Sequence, residues 1–259
     1  MLVRSADLAL YRAKDSGRGV FRTYEPELHV QAEERRVLEL ALRTAVENGE
    51  MHLDYQPVVD ADTRHLQGFE ALLRWTSPGL GSIPPSKFIS IAEDARLIAP
   101  IGAWVLRTAC AEAAKWPSDI RIAVNVSAIQ LQNPSFLTTI ASALANSGLS
   151  AERLELEVTE NVFLHEGLGV TRVLDRLLDL GVRLSLDDFG TGYSSLGYLS
   201  RTRFSSIKID HSFVRDAAQG VREAVAIVRA VVALAKSLDI ATTAEGVETE
   251  VEHRMVRDF

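Results

Sequence analysis

From residue 50 onward the chain repeats one rhythm, a short alternating segment followed by a longer helical one, and no other feature restricts the fold as much. The alternation predicts strands at 52–59, 68–75, 120–127, 154–159, 182–187, 205–210 and 240–245. Helical spacing predicts helices at 86–97, 101–116, 134–148, 168–180, 192–200, 221–238 and 250–257, with one more at 33–48 ahead of the first strand. Strand followed by helix, repeated, means parallel strands joined by helical crossovers. The first two strands are separated only by 60–67, too short for a helix, so they are expected to form an antiparallel hairpin.

Parallel strands covered on both faces read as unbroken apolar runs, and these do not. Along the second strand Glu70, Leu72 and Arg74 share one face, opposite Phe69, Ala71, Leu73 and Trp75. Asn125 and Ser127 lie opposite Ile122, Val124 and Val126; Glu155 and Glu157 lie opposite Leu154, Leu156 and Val158. Ser185 and Asp187 oppose Leu184 and Leu186, and Ser206, Lys208 and Asp210 oppose Ile207 and Ile209. A TIM-type barrel accounts for this: the apolar set meets an outer ring of helices and the polar set projects inward. Chemistry in that fold sits at the C-terminal strand ends, where the carboxylates of this chain fall. The expected fold is α/β, a modified TIM (β/α)8-type barrel with an antiparallel first strand.

Glu70, Asn125, Glu157, Asp187, Asp188, Lys208 and Glu245 all fall near those strand ends. Carboxylates converging on one cavity repel unless cations neutralise them. All-oxygen donors suit Mg2+ or Mn2+ rather than Zn2+. Successive strand residues face opposite ways, so Asp187 and Asp188 both reach the site only if the strand ends between them. Phe189-Gly190-Thr191-Gly192 supplies a break of that kind. Such a pair can serve two ions about 4 Å apart, the arrangement that activates a water in phosphodiester cleavage. Taken singly, each residue has a plainer reading: Glu70 as a salt-bridged surface residue, Asn125 as a strand-end hydrogen-bonding residue, Glu157 and Glu160 as the exit of a strand to solvent. Lys208 resists that treatment, because an inward lysine is costly without carboxylates nearby.

A chain of 259 residues, 47% hydrophobic and 24% charged, suits one large α/β domain with an appendage, or two smaller domains. A net charge of −7 argues against a nucleic-acid polymer as partner, which needs a basic footprint. It leaves room for a small anionic nucleotide, since bound divalent cations reverse the local sign. No apolar stretch approaches the roughly 20 residues that span a bilayer, and the N-terminus lacks the pattern of a signal peptide. The chain is expected to be cytoplasmic, any membrane anchor of a parent protein lying in regions N-terminal to it. Cys110, in an Ala-rich helical stretch, reads as a core thiol.

Several segments carry a resemblance. They are Tyr55-Gln56-Pro57-Val58-Val59, Glu70-Ala71-Leu72-Leu73-Arg74-Trp75, Asn125-Val126-Ser127, Glu157-Val158-Thr159-Glu160, Asp187-Asp188-Phe189-Gly190-Thr191-Gly192-Tyr193-Ser194-Ser195-Leu196, Lys208-Ile209-Asp210 and Ala244-Glu245-Gly246-Val247-Glu248. In this order, over about 33–252, they resemble the EAL domain, a modified TIM barrel that hydrolyses cyclic di-GMP to linear pGpG. The resemblance implies that Glu70, Asn125, Glu157 and Asp187 hold one Mg2+ or Mn2+, and Asp187, Asp188 and Glu245 a second. It makes Lys208 the residue that orients or helps deprotonate the attacking water, with Glu70, Asp187 and Asp188 beside it in catalysis. Gln56 and Arg74 would contact the substrate. Glu160 and Glu248 would support the loop after Asp188, a loop that in the family also couples to homodimerisation.

Ala6-Asp7-Leu8-Ala9-Leu10-Tyr11-Arg12-Ala13-Lys14 followed by Gly17-Arg18 is similar to the tail of a GGDEF domain. The expected organisation is therefore a GGDEF remnant at 1–25, a connection at 26–34, and an EAL domain at 35–259 that stops before the family's last strand and closing helix. Arg203, Ser205 and His211 stand where many relatives carry Pro, Asp and Arg. The alternative reading is a catalytically impaired module that binds cyclic di-GMP and regulates.

Overall fold

The computed structural model describes residues 10, 26–164, 168–190, 197, 199 and 201–259. The GGDEF-like tail expected at 1–25 lies, Leu10 apart, outside the described residues, as do 191–196 and most of the helix expected at 192–200. In chain order the elements are α1 (Pro26–Leu42), β1 (Met51–Val59), β2 (Leu66–Ser77), β3 (Gly81–Ile83), α2 (Pro85–Asp94), α3 (Ile98–Ala113) and β4 (Arg121–Asn125). They continue with α4 (Ala128–Gln132), α5 (Phe136–Ser147), β5 (Leu154–Thr159), α6 (Asn161–Leu164), α7 (Leu168–Asp179), β6 (Arg183–Phe189) and β7 (Ser206–Ile209). Last come α8 (His211–Ala218), α9 (Arg222–Ser237), β8 (Ala241–Ala244) and α10 (Glu250–Arg257).

The chain divides into two compact units, one of residues 1–52 and 74–97, the other of 53–73 and 98–259. In the first, Trp75 is fully buried edge-on to Phe88, ring centroids 5.6 Å apart. The Trp75 indole donates to Glu50 at 3.0 Å, so the polar edge of a buried ring is satisfied. Pro85 opens α2, where a missing N–H costs nothing. Ion pairs Arg35–Asp94 and Lys87–Glu34 join α1 to α2. The end of β2 pairs antiparallel with β3, Trp75 opposite Ile83.

The second unit holds the parallel sheet, in the order β2-β4-β5-β6-β7-β8, with β1 beside β2. The β1–β2 connection is a tight turn closed by Asp60 N–H to the His65 carbonyl at 2.9 Å, as a hairpin requires. The apolar faces expected from alternation are buried: Ile122, Val124, Leu154, Leu156, Val158, Leu184, Leu186, Ile207 and Ile209. Helix α3 answers them with Ile101, Val105, Leu106, Ala109 and Cys110, at spacings of three and four that make one stripe. Each fully buried Leu or Ile contributes roughly 1.5–3 kcal/mol. Arg153 pins the junction of α3 and β4, donating to the carbonyls of Ala113 at 2.8 Å and Ile120 at 2.9 Å.

This sheet curves as a half-barrel. The expected modified TIM (β/α)8-type barrel is met to that extent, with β1 and β8 as the two ends of the pairing path. Besides the short β3, α4 and α6, which the sequence reading did not include, two further details depart from it. An additional helix, α8, follows β7 directly, capped by Asp210, whose side chain accepts from Ser212 N–H at 2.9 Å. And β6 does not end between Asp187 and Asp188. It runs on to Phe189, but its register with β7 slips between Leu186 and Phe189, and Asp188 has φ +54. A bulge replaces the expected strand end.

Candidate metal and active site

The bulge explains how two consecutive aspartates serve one site. In a regular pleat their side chains would diverge; an extra residue in the left-handed region re-aims one of them. Asp tolerates that conformation better than most residues, because its short polar side chain bonds locally. Here the Asp188 N–H donates to Asp187 Oδ1 at 3.0 Å. Carboxylate oxygens of Asp187, Asp188 and Glu245 come to lie within 4.8 Å of one another.

Glu245 is delivered from the other end of the sheet. Its N–H donates to the Ile209 carbonyl at 3.1 Å, extending the β7–β8 ladder by one residue. The next residue must be glycine: Gly246 has φ +65, and a Cβ there would stand 2.6 Å from the Cβ of His211.

At the centre is Lys208. Its Nζ lies 2.7 Å from Glu245, 2.9 Å from Glu157, 3.2 Å from Glu70 and 3.3 Å from Asp187. These carboxylates come from β2, β5, β6 and the end of β8, so one ammonium is shared by residues far apart in sequence. Its side chain is 5% exposed, as is that of Glu157. Asn125 joins from β4, its amide donating to Glu70 Oε1 at 2.7 Å.

The electrostatics follow from burial. Desolvation pushes the Glu157 carboxyl well above the usual range, helped by Glu70 and Asp187 and opposed by Lys208. Burial likewise raises Glu245 against the pull of Lys208. It raises Asp188, with Asp187 and Asp210 adding like charge. For Lys208 burial acts downward, but Glu157, Asp187, Glu70 and Glu245 outweigh it and hold the ammonium protonated far beyond neutral pH. Asp210 moves the other way. Burial lifts it, yet hydrogen bonds from Ser212 and the neighbouring His211 keep its carboxyl low.

Of the residues expected from the sequence, Glu70, Asn125, Glu157, Asp187, Asp188, Lys208 and Glu245 are thus brought together. Glu160 is buried, and its Oε1 accepts the Gly190 N–H at 2.8 Å, just after the aspartate pair. Glu248 is exposed between β8 and α10; its expected loop, 191–196, lies outside the described residues. Gln56 is exposed on β1, apart from the cluster's ion pairs and hydrogen bonds. Arg74 belongs to the other unit. The reading of the sequence put Asp210 on the inward face of its strand but gave it no role; the structure sets it close enough to Asp188 to raise that carboxyl.

A half-barrel of parallel strands with carboxylates gathered around one buried lysine defines an α/β domain with a candidate divalent-cation site. The donor set fits a hard divalent cation, being all oxygen, partly buried and converging from three residues. The chain belongs to the EAL domain family, whose model matches residues 39–259. It is 40% identical over 259 residues to the bifunctional diguanylate cyclase/cyclic di-GMP phosphodiesterase MucR of Pseudomonas aeruginosa, covering 98% of this chain and 38% of that protein. It is 39% identical over 255 residues to the cyclic di-GMP phosphodiesterase PdeR of Escherichia coli, covering 97% of this chain and 38% of that protein. A solved structure of the PaMucR phosphodiesterase in complex with c-di-GMP matches with a TM-score of 0.82 at 40% identity, covering 86% of this chain and 91% of that one. The curated relatives are much longer than this chain, which spans 30%, 32% and 38% of three of them. Among the described residues no helix is long and apolar enough to cross a membrane.

Proposed function

We propose that this chain hydrolyses cyclic di-GMP to linear pGpG in bacterial second-messenger signalling. The observation that carries the reading is the convergence of Glu70, Glu157, Asp187 and Glu245 on Lys208, beside the Asp187–Asp188–Glu245 donor set. Relatives named as cyclic di-GMP phosphodiesterases match nearly the whole chain.

In this reading Asp187, Asp188 and Glu245 hold one Mg2+ or Mn2+, and Glu70, Asn125, Glu157 and Asp187 hold the other. When bound, the ions supply an activated water and neutralise charge on the phosphodiester. Lys208, protonated and fixed by its carboxylates, orients the water and adds positive charge where the phosphoryl oxygens become more negative. Its ammonium donates a hydrogen bond to that water and gives up no proton. Water oxygen attacks phosphorus and its proton passes to solvent, the P–O3′ bond breaks, and the released 3′-oxygen takes up a proton from solvent water. Gln56 and Arg74 contact the substrate, the planar Arg74 fork suiting phosphate. Glu160 ties the segment after Asp188 to the end of β5, and Glu248 supports the same loop.

The finer organisation follows the family. We read residues 1–25 as similar to the tail of a GGDEF domain, 26–34 as the connection and 35–259 as the EAL domain. That MucR is named as both cyclase and phosphodiesterase supports the first of these. The loop after Asp188 is assigned to homodimerisation, which light scattering would test.

Incubation with cyclic di-GMP and Mg2+ or Mn2+, followed by chromatography, tests the activity directly. The expected result is pGpG, abolished by Glu70→Ala. Binding without turnover in both metals would sink the hydrolase reading and leave the regulatory module.

A further inference from the structure

Two polar ties cross from β5 to β7 over the intervening β6. The upper one is the Glu157–Lys208 contact of the carboxylate cluster. The lower one lies two residues earlier on both strands, where the Ser206 hydroxyl donates to Glu155 Oε1. Side chains two apart share a face, so Glu155 stands one pleat below Glu157, and Ser206 one pleat below Lys208. Arg183 of β6 donates to the other Glu155 oxygen at 3.4 Å. Register pairs Ser185 of β6 with Glu157 on one side and Ser206 on the other. Yet the fully buried Ser185 Oγ makes no hydrogen bond among the described residues. At this level the polar connection of the three strands runs through Glu155.

We infer that Glu155 is a positioning residue for the candidate metal site. Through Ser206 and Arg183 it holds β5, β6 and β7 at the spacing from which Glu157, Asp187 and Lys208 meet. A carboxylate so placed is costly unless its donors stay in reach, so the bridge resists separation of the strands. The polar partners that fix a ligand's orientation, though they never touch the ion, typically change metal affinity about 10–100-fold when lost. This inference rests on the reading of the carboxylate cluster as a divalent-cation site.

Mn2+ affinity of the full chain, measured by calorimetry or by the electron paramagnetic resonance of free Mn2+, tests it without recourse to turnover. Thermal melting in chelator runs beside it. Glu155→Ala and Ser206→Ala are each expected to weaken Mn2+ binding about ten-fold or more. Glu155→Gln keeps an acceptor for Ser206 and recovers most of the affinity. The double alanine variant loses little more than either single one, because both cut the same tie. If Glu155→Ala fails to fold, Ser206→Ala, which removes only a hydroxyl, decides in its place. Folded alanine variants that melt earlier but bind Mn2+ like the wild type would make Glu155 a structural residue only and overturn the inference. A wild-type chain that binds no Mn2+ would instead overturn the metal reading beneath it.

Discussion

Lys208 does by itself what two divalent ions do in the proposed holoenzyme: it offsets the charge of carboxylates that meet from separate strands. Removing one partner of a buried ionic group leaves the others uncompensated, at a cost of about 3–5 kcal/mol. Lys208→Met should therefore lower the melting temperature sharply in chelator, and Mn2+ should restore part of the loss. Equal melting of variant and wild type in chelator would show that the ammonium is not the internal counter-ion. Turnover should fall about 10²–10³-fold in the same variant, the range for loss of one hydrogen-bond donor positioned at the transition state. Cys110 belongs to the opposite kind of environment. It is fully buried in α3, and desolvation pushes its thiol up to about 12. It should stay unmodified by thiol reagents at neutral pH until the chain is denatured, as a colorimetric thiol titration would show.

Among the elements, β6 and α8 do most to shape the site. The bulge in β6 depends on Asp188 accepting a left-handed backbone. Asp188→Val adds strain of about 1–3 kcal/mol to the loss of a ligand, whereas Asp188→Asn keeps the backbone and loses only the charge. Helix α8 starts on Asp210, and Asp210→Ala should cost about 1 kcal/mol as a lost cap. Its pH dependence has a defined sign. The folded carboxyl is held low, so its contribution is complete above the ordinary Asp range and is lost as pH falls through the depressed value. Melting curves of variant and wild type should accordingly converge in strong acid; a gap that widened there would contradict the assignment. Arg153 closes the junction of α3 and β4, and Arg153→Met should cost about 1.5–3 kcal/mol in urea denaturation.

For the whole molecule, a cation that binds only the folded chain stabilises it by mass action, by about 2.7 kcal/mol at a hundred times its Kd. Mn2+ or Mg2+ should raise the melting temperature of the wild type, and Asp188→Ala should blunt the effect. The strands and crossovers were legible in the sequence because period and face are local properties: polar Glu157, Asp187 and Lys208 alternate with apolar neighbours whatever lies beside them. Helix α8 was less legible, its eight residues being too few for a clear period; the Asp210 cap was its one local signal. The ligand set of the candidate site could be assembled from the same alternation together with the family resemblance. The bulge at Asp188, the sharing of Lys208 among residues of β2, β5, β6 and the end of β8, and the lower bridge through Glu155 were not legible. Each depends on register and curvature, which arise from strand pairing across long stretches of chain. The sequence alone therefore determined which residues face inward, and only the tertiary structure decided which of them meet.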